Sequence, residues 1–175
     1  MKNLLMMIIL VFCHLWAGKT ETVEIFSDIM NKNIPAFIVI PDSYSGGNDS
    51  LPVILLLHGY GGDYKNWSSK TNLLRQADEF NFIIVCPDGN RNSWYLDSPM
   101  KPESQYKTFF INELVPWIKM NFRTNQMGIT GLSMGGHGAF YLAIRHPELF
   151  DAVSGMSSGV DLTFSTVKWE LAKIL

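Results

Sequence analysis

Apolar residues are concentrated in three short runs in the middle of the chain, at residues 51–57, 82–86 and 127–130. A run that is apolar at successive positions predicts a strand buried on both faces, which is typical of the centre of a parallel sheet covered by helices. Residues 34–40 predict a further strand, and the weaker alternation of residues 22–27 predicts a strand at the edge of the sheet.

Segments with helical spacing separate these strands. Residues 67–80 and 104–122 carry apolar side chains at intervals of three and four, and Pro116 predicts a kink in the second segment. Residues 135–145 predict a third helix, and residues 152–156 predict a sixth strand. Strands that alternate with helices predict an α/β fold, in which a mostly parallel sheet is flanked by helices on both faces.

The first 18 residues follow a different pattern, with a short basic start, an apolar run and the small residues Ala17 and Gly18. This order is typical of a secretory signal peptide, and the apolar run is too short to span a membrane stably. We therefore expect residues 1–18 to be removed, which leaves residues 19–175 as one secreted or periplasmic domain without a stable membrane span. Two alternatives stay open, namely an N-terminal core segment and a lipoprotein anchored through Cys13.

Composition and charge argue against several function classes. The net charge of −2 and the lack of a basic run argue against a nucleic-acid partner. The sequence has neither a CxxC pair nor an HExxH motif, so it does not support a zinc site. Once Cys13 is removed, Cys86 has no partner for a disulfide within the chain, and we expect it to be a small buried hydrophobic residue. No metal or organic cofactor is implied, and the oligomeric state stays open.

The strongest chemical signal lies between the predicted strand at 127–130 and the helix at 135–145, where the sequence reads Gly131-Leu132-Ser133-Met134-Gly135. This G-x-S-x-G pattern in a strand-to-helix context predicts a nucleophile elbow. The tight turn forces Ser133 into a strained backbone conformation, so its neighbours must lack bulk. Ser133 Oγ would then stand at a helix N-terminus, which favours developing negative charge. The alternative is a glycine-rich turn with an incidental serine.

Two other strand ends carry candidate chemistry, at residues 58–62 (His-Gly-Tyr-Gly-Gly) and at residues 87–89 (Pro-Asp-Gly). The carboxyl ends of parallel strands meet at one edge of a sheet, so we expect both segments near the elbow. Acyl transfer requires N–H donors for the oxyanion. The backbone N–H of Met134 directly follows the nucleophile, and the second donor of such a site comes from the loop after the third strand. We predict that Tyr60 supplies it.

These pieces together resemble the esterase D-like branch of the α/β-hydrolases, a group that includes S-formylglutathione hydrolases, tributyrin-type esterases, feruloyl and acetyl-xylan esterases, and mycolyltransferases. The matching segments are residues 55–62, 87–89, 92–99, 131–138 and 145–150. The resemblance implies a serine esterase that needs no cofactor. It implies Ser133 as the nucleophile and the backbone N–H groups of Tyr60 and Met134 as the oxyanion donors.

The family's other catalytic partners are not identifiable in the sequence. The triad order of such enzymes is Ser, then an acid, then His, and in this family both partners come after strands seven and eight. After Ser133 the chain contains only His137 and His146, which lie on or at the end of the helix that begins at the elbow. We expect His137 to pack beneath the site, His146 to occupy the helix C-terminus and His58 to shape its own loop.

The triad acid is not identifiable from sequence either. Asp161, after the sixth predicted strand, is a candidate, and Asp151 is expected to be structural. The sequence therefore predicts an α/β-hydrolase domain that is incomplete at its C-terminus, lacks the last two strands and the triad acid and His, and is a truncated, weakly active form.

Three side chains that follow the fourth strand, Trp94, Tyr95 and Asp97, have two open interpretations. They either line the pocket for the acyl or alcohol group, or anchor a long loop. The leading hypothesis for the whole chain is a secreted serine esterase that hydrolyses carboxylic esters, with acetyl or feruloyl groups on carbohydrate as the favoured substrates. The alternatives are acyl transfer to a sugar and a non-catalytic, carbohydrate-binding, hydrolase-like module.

Overall fold

The computed structural model describes residues 18–46, 49–162 and 171–173, so the predicted signal peptide, with Cys13, lies outside the described residues apart from Gly18. Six strands form one sheet in the order β1-β2-β4-β3-β5-β6. Their bounds are β1 Lys19–Ser27, β2 Lys32–Ile40, β3 Val53–Leu57, β4 Ile83–Pro87, β5 Met127–Gly131 and β6 Ala152–Val153.

The sheet is mixed but mostly parallel. Strands β4, β3, β5 and β6 pair in parallel, whereas β1 and β2 form an antiparallel hairpin that joins the edge of β4. The prediction of a mostly parallel α/β sheet is confirmed. The carboxyl ends of β3, β4 and β5 therefore lie at one edge, where the predicted chemical segments begin.

Helical segments connect the strands and cover the sheet. They are α1 Asp42–Gly46, α2 Leu73–Phe80, α3 Tyr106–Phe109, a π-helical turn Phe110–Leu114, α4 Val115–Asn121, α5 Met134–Arg145, and a 3-10 turn Leu171–Lys173. Alternate residues of the central strands enter two separate apolar clusters. Leu55 and Leu57 pack with α3 to α5, whereas Leu56 packs with Leu73 and Ala77 of α2. The sheet thus has helices on both faces, as predicted.

The first predicted helix is shorter than expected. It begins at Leu73 rather than at Trp67, because Asn72 caps it by accepting a hydrogen bond from the Arg75 N–H at 3.0 Å. The indole N–H of Trp67 donates to the Leu57 carbonyl at 3.0 Å. Trp67 therefore belongs to the turn that precedes α2, and its side chain contacts β3.

The second predicted helix contains the irregularity expected at Pro116. The Val115 N–H donates to the Phe110 carbonyl, which is the i to i−5 spacing of a π turn. Proline lacks an N–H and collides with the preceding carbonyl in a regular helix. A wider turn directly before Pro116, the second residue of α4, accommodates that ring.

The sixth strand is shorter and more exposed than its apolar residues predicted. Only Ala152 and Val153 pair regularly with β5, and Met156 rejoins the ladder through a bridge to Leu132. Val153 is 40% exposed and Met156 is 42% exposed. Among the described residues, β6 has a neighbouring strand on one side only, which leaves these side chains at the margin of the core.

Candidate active site

Ser133 occupies the turn between β5 and α5 in a rare backbone conformation, with φ 54° and ψ −111°. A positive φ at a residue other than glycine costs free energy and persists only where the surrounding structure imposes it. The neighbours are glycines because the strand and helix come very close. A Cβ on Gly131 would lie 2.5 Å from the carbonyl carbon of Gly135 and 2.8 Å from Leu57 Cβ. The sequence pattern thus forms the strained turn that it predicted.

The loop after β3 lies against this turn. A Cβ on Gly59 would lie 3.2 Å from the Leu132 carbonyl oxygen and 3.7 Å from Ser133 Cβ. Tyr60 follows in the same loop and is half-buried. Met134 is the first residue of α5, and the first N–H groups of a helix have no acceptor within it. The structure therefore brings both predicted donor segments to Ser133, while their role as oxyanion donors stays a prediction.

His58 joins the loops after β3 and β4. Its Nε2 accepts a hydrogen bond from the Gly89 N–H at 2.9 Å, and its Nδ1 lies 2.9 Å from the Gly59 carbonyl oxygen. A carbonyl can only accept, so Nδ1 carries the proton and the ring is neutral. Burial lowers the pKa of His58 below its ordinary value, against weaker opposing effects of the Gly59 bond and of Asp88 and Asp63. Both ring nitrogens are used, so His58 shapes the loop.

Tyr95 is fully buried between the loop after β4 and helix α5. Its ring fills the space that a Cβ on Gly89 or on Gly138 would enter. Its hydroxyl donates to the His58 carbonyl at 2.9 Å, and its ring meets Phe110 edge to face with centroids 5.3 Å apart. Substrate binding was one of two interpretations of this side chain. A ring without exposed surface cannot line an open pocket, so these contacts favour the loop-anchor interpretation.

Trp94 and Asp97 make similar anchoring contacts. Trp94 is 3% exposed, and its carbonyl accepts from His137 Nδ1 at 3.0 Å. Asp97 accepts from the Thr108 N–H at 2.9 Å and from the Thr108 hydroxyl at 2.7 Å, and it lies 3.0 Å from Lys107 Nζ. The carboxylate therefore binds the first turn of α3. These contacts are those expected of a loop anchor, and substrate binding by Asp97, whose side chain is 20% exposed, stays a prediction.

The two histidines after Ser133 are also engaged elsewhere. His137 is buried on α5 and stacks on Tyr141, with ring centroids 5.6 Å apart, and burial is the main cause of its lowered pKa. His146 follows the last residue of α5, and its Nδ1 lies 3.5 Å from Glu148 Oε1. In the described part of the chain, no hydrogen bond joins Ser133 Oγ to a histidine.

The acidic candidates differ in their surroundings. Asp151 accepts from the Met127 N–H at 2.7 Å, which is the structural role predicted for it. Asp161 is exposed. The described ranges contain no group of three or more His, Cys, Asp or Glu side chains arranged to hold a metal ion. Within the same ranges, no helix combines the length and apolarity that crossing a bilayer requires.

Two features of the site were missed by reasoning from sequence. Ser93 Oγ donates to the Gly89 carbonyl and accepts from the Tyr95 N–H, so it holds the turn after β4. The Met156 carbonyl accepts from the Ser133 N–H at 2.8 Å. The only sequence signal for Met156 is its place at the end of the strand predicted after the elbow helix.

Comparison with known proteins identifies the family. The Esterase family model, described as "Putative esterase", matches residues 27–171, which is more than half of the chain. An esterase of Mycobacterium tuberculosis is 33% identical over 132 residues, covering 71% of this chain and 29% of that protein. An acetyl esterase of Caldicellulosiruptor saccharolyticus is 26% identical over 149 residues, covering 79% of this chain and 55% of that protein.

A solved structure supports the same assignment. A ferulic acid esterase superposes with a TM-score of 0.74 at 29% identity, covering 82% of this chain and 59% of that one. The chain thus spans less than two thirds of the length of each of these three proteins. These similarities lead to the same assignment as the order and pairing of the strands and the strained serine at the turn. The chain belongs to the Esterase family and has the α/β-hydrolase fold.

Proposed function

We propose that the protein is a serine-dependent carboxylic ester hydrolase in which Ser133 is the nucleophile. The observation that carries the proposal is the backbone of Ser133, which is held at φ 54° between β5 and α5 beside the loop after β3. A strained serine at the N-terminus of a helix, with backbone N–H groups close by, suits attack on a carbonyl carbon.

The proposed reaction has two stages, acylation of Ser133 and hydrolysis of the acyl-enzyme. Ser133 Oγ bonds to the ester carbonyl carbon, and the carbonyl oxygen becomes an oxyanion that accepts from the Met134 and Tyr60 N–H groups. Each such donor contributes on the order of 3 kcal/mol in the transition state. The carbon–oxygen bond to the alcohol then breaks, and the alcohol leaves with the proton that Ser133 has lost. Water cleaves the acyl-enzyme, which releases the acid and restores the Ser133 hydroxyl.

Among the residues that the structure describes, no histidine is hydrogen-bonded to Ser133 Oγ to accept its proton. Each histidine in these residues is engaged in a loop, in packing or at a helix end. Loss of the base histidine costs a triad enzyme roughly a million-fold in kcat. We therefore expect slow turnover by this polypeptide, and we expect formation of the acyl-enzyme to be easier to detect than repeated hydrolysis.

For the substrate, we propose acetyl or feruloyl esters of carbohydrate. The acetyl esterase and the ferulic acid esterase named above support these acyl groups by similarity. A cavity of about 320 Å³ on α5 is lined in part by His137, Phe140 and Tyr141. His137 is four residues after Ser133 in the chain, and the aromatic lining of this cavity would suit an aromatic acyl group. The predicted signal peptide adds the proposal of an extracytoplasmic substrate.

Trapping of the acyl group tests both proposals. The protein is mixed with activated acetyl, feruloyl and long-chain acyl esters, and intact-protein mass spectrometry measures the adduct. We expect acetyl and feruloyl adducts on Ser133, none in Ser133→Ala, and unchanged adducts in Ser69→Ala, which removes a serine on an exposed turn. A sugar acceptor that takes up the acyl group would indicate transfer instead of hydrolysis. Carbohydrate binding without any adduct would favour a non-catalytic module.

A further inference from the structure

The chain that follows β6, at the edge of the sheet, contacts the backbone of Ser133. Beyond the short strand β6, the ladder with β5 continues, since the Ser154 N–H donates to the Ile129 carbonyl at 3.1 Å and the Met156 N–H donates to the Gly131 carbonyl at 2.9 Å. The Ser133 N–H then donates to the Met156 carbonyl at 2.8 Å. The hydrogen bonds between β5 and the chain after β6 therefore continue as far as Ser133.

The chain then turns around Ser133 and contacts its other side. Ser157 has a φ of 47°, in the left-handed region, which reverses the direction of the chain. Two residues later, the Gly159 N–H lies 3.4 Å from the Ser133 carbonyl oxygen, which also accepts from the His137 N–H at 3.0 Å. Residues 156–159, here named the 156–159 segment, therefore contact both the N–H and the carbonyl of Ser133.

Ser158 packs this segment against two glycines. Its Oγ is buried and has no hydrogen-bond partner among the described residues. A Cβ on Gly136, in the first turn of α5, would overlap Ser158 Oγ and lie 2.9 Å from Ser158 Cβ. A Cβ on Gly155 would overlap the same hydroxyl. A buried hydroxyl without a partner is unfavourable, so the position of Ser158 is imposed by the close fit to the glycines.

We infer that the 156–159 segment is a positioning element for Ser133, and that Ser158, packed against Gly136 and Gly155, fixes it. A strained backbone persists only where its surroundings over-determine it, and this segment supplies two of those contacts. The catalytic consequence of this inference rests on the proposed role of Ser133 as nucleophile. The structural part does not, because the state of the Ser133 N–H can be measured without any reaction.

Amide hydrogen exchange at Ser133, followed by NMR, tests the inference. In the native protein the Ser133 amide is expected to be protected. Ser158→Gly removes the packed side chain without adding bulk, and should raise the exchange rate at Ser133 roughly tenfold while the amides of β3 stay unchanged. Gly136→Ala should raise it further than Ser158→Gly does, because the added Cβ displaces Ser158 and with it the 156–159 segment. In the double variant Gly136→Ala with Ser158→Gly, the rate should return to that of Ser158→Gly alone.

Gly138→Ala is the matched control. It adds a Cβ to the same helix but against the ring of Tyr95, so adding Ser158→Gly should not lower the exchange rate at Ser133 below that of Gly138→Ala alone. Three results would overturn the inference: an unprotected Ser133 amide in the native protein, no change in Ser158→Gly, or equal rescue of Gly136→Ala and Gly138→Ala. The rate of fluorophosphonate labelling of Ser133 should fall in parallel with the loss of protection. Absence of labelling in the native protein with a protected amide would reject the proposed nucleophile and leave the positioning role intact.

Discussion

Single buried side chains determine how the loops around Ser133 meet. His58 connects the loop after β3 to Gly89 at the start of the loop after β4, and Tyr95 donates to the carbonyl of His58 from within the second loop. A hydrogen bond between buried groups gains little net free energy, but loss of one partner leaves the other unsatisfied at a larger cost. These residues therefore contribute to stability as well as to the geometry of the site.

Tyr95→Phe tests the hydroxyl contact at this scale. The ring packing is kept, while the His58 carbonyl loses a donor, so we expect the free energy of unfolding to fall by about 1–3 kcal/mol. Urea unfolding measures the change. Tyr141→Phe is the control, since no hydrogen bond of its hydroxyl occurs among the described residues. Equal destabilisation by the two substitutions would contradict the role of the Tyr95 hydroxyl.

The neutral state of His58 predicts a pH dependence of stability. Its folded pKa lies below the ordinary value of 6.5, chiefly because of burial, so the unfolded chain binds more protons near that pH. The free energy of unfolding should therefore decrease as the pH falls below 6.5, until the folded ring also protonates. The pKa of His137 is lowered too and acts in the same direction.

His58→Gln isolates the contribution of His58 to this slope. The glutamine oxygen can accept from the Gly89 N–H but does not titrate, so unfolding curves between about pH 8 and about pH 5 should show a shallower loss of stability than in the native protein. A residual slope from His137 is expected. An unchanged slope in a folded His58→Gln variant would contradict the assignment of a neutral, buried His58.

At the scale of elements, the site depends on how closely α5 approaches β3 and β5. Gly135 lies in the first turn of α5, and a Cβ there would overlap the Leu57 carbonyl oxygen and lie 2.6 Å from that of His58. Backbone atoms cannot move aside as a flexible side chain can. The glycines of the G-x-S-x-G pattern are thus required by packing between elements.

Gly135→Ala should destabilise the protein by about 3 kcal/mol or more, because the strand and helix must separate. Gly61→Ala is a useful comparison, since Gly61 has a φ of 77° and no heavy atom within 4 Å of the added Cβ. The free energy of unfolding of that variant should fall by only about 1–2 kcal/mol, because alanine is strained in the left-handed conformation. Thermal and urea unfolding of both variants check the difference, and a Gly61→Ala variant that is as unstable as Gly135→Ala would refute the packing argument.

The elements also show which parts of the fold are predictable from sequence. The apolar runs of β3, β4 and β5 and the elbow were correct because burial on both faces and a glycine-flanked turn are local signals. The start of α2 was wrong because the Trp67 side chain packs on β3, which spacing alone does not reveal. The anchoring of Tyr95 depends on Gly138, which is distant in sequence, so no local pattern contains it.

At the scale of the whole molecule, the sheet ends asymmetrically. The β1–β2 hairpin closes one side through antiparallel pairing, and β6 is the last strand on the other side among the described residues. Val153 and Met156 are partly exposed there. Exposed apolar strand edges promote association, and the same edge supports Ser133 through Met156.

Val153→Lys should reduce concentration-dependent association of the 175-residue polypeptide, because a lysine on an edge strand opposes pairing with another chain. Sedimentation velocity or light scattering over a range of concentrations measures it. Ile144→Lys is the control, since Ile144 is exposed on α5 rather than on the sheet edge. If association decreased equally in both variants, the sheet edge at β6 would not be the surface through which the polypeptide associates.

The proposed function requires Ser133 to be a solvent-accessible, activated nucleophile, and fluorophosphonate labelling with identification of the modified peptide tests this requirement most directly. We predict slow formation of one adduct, on the peptide that contains Ser133, in the folded protein. The adduct should be absent in Ser133→Ala and in denatured protein. Lack of labelling in a well-folded sample, or an adduct that persists in Ser133→Ala, would contradict the proposed function.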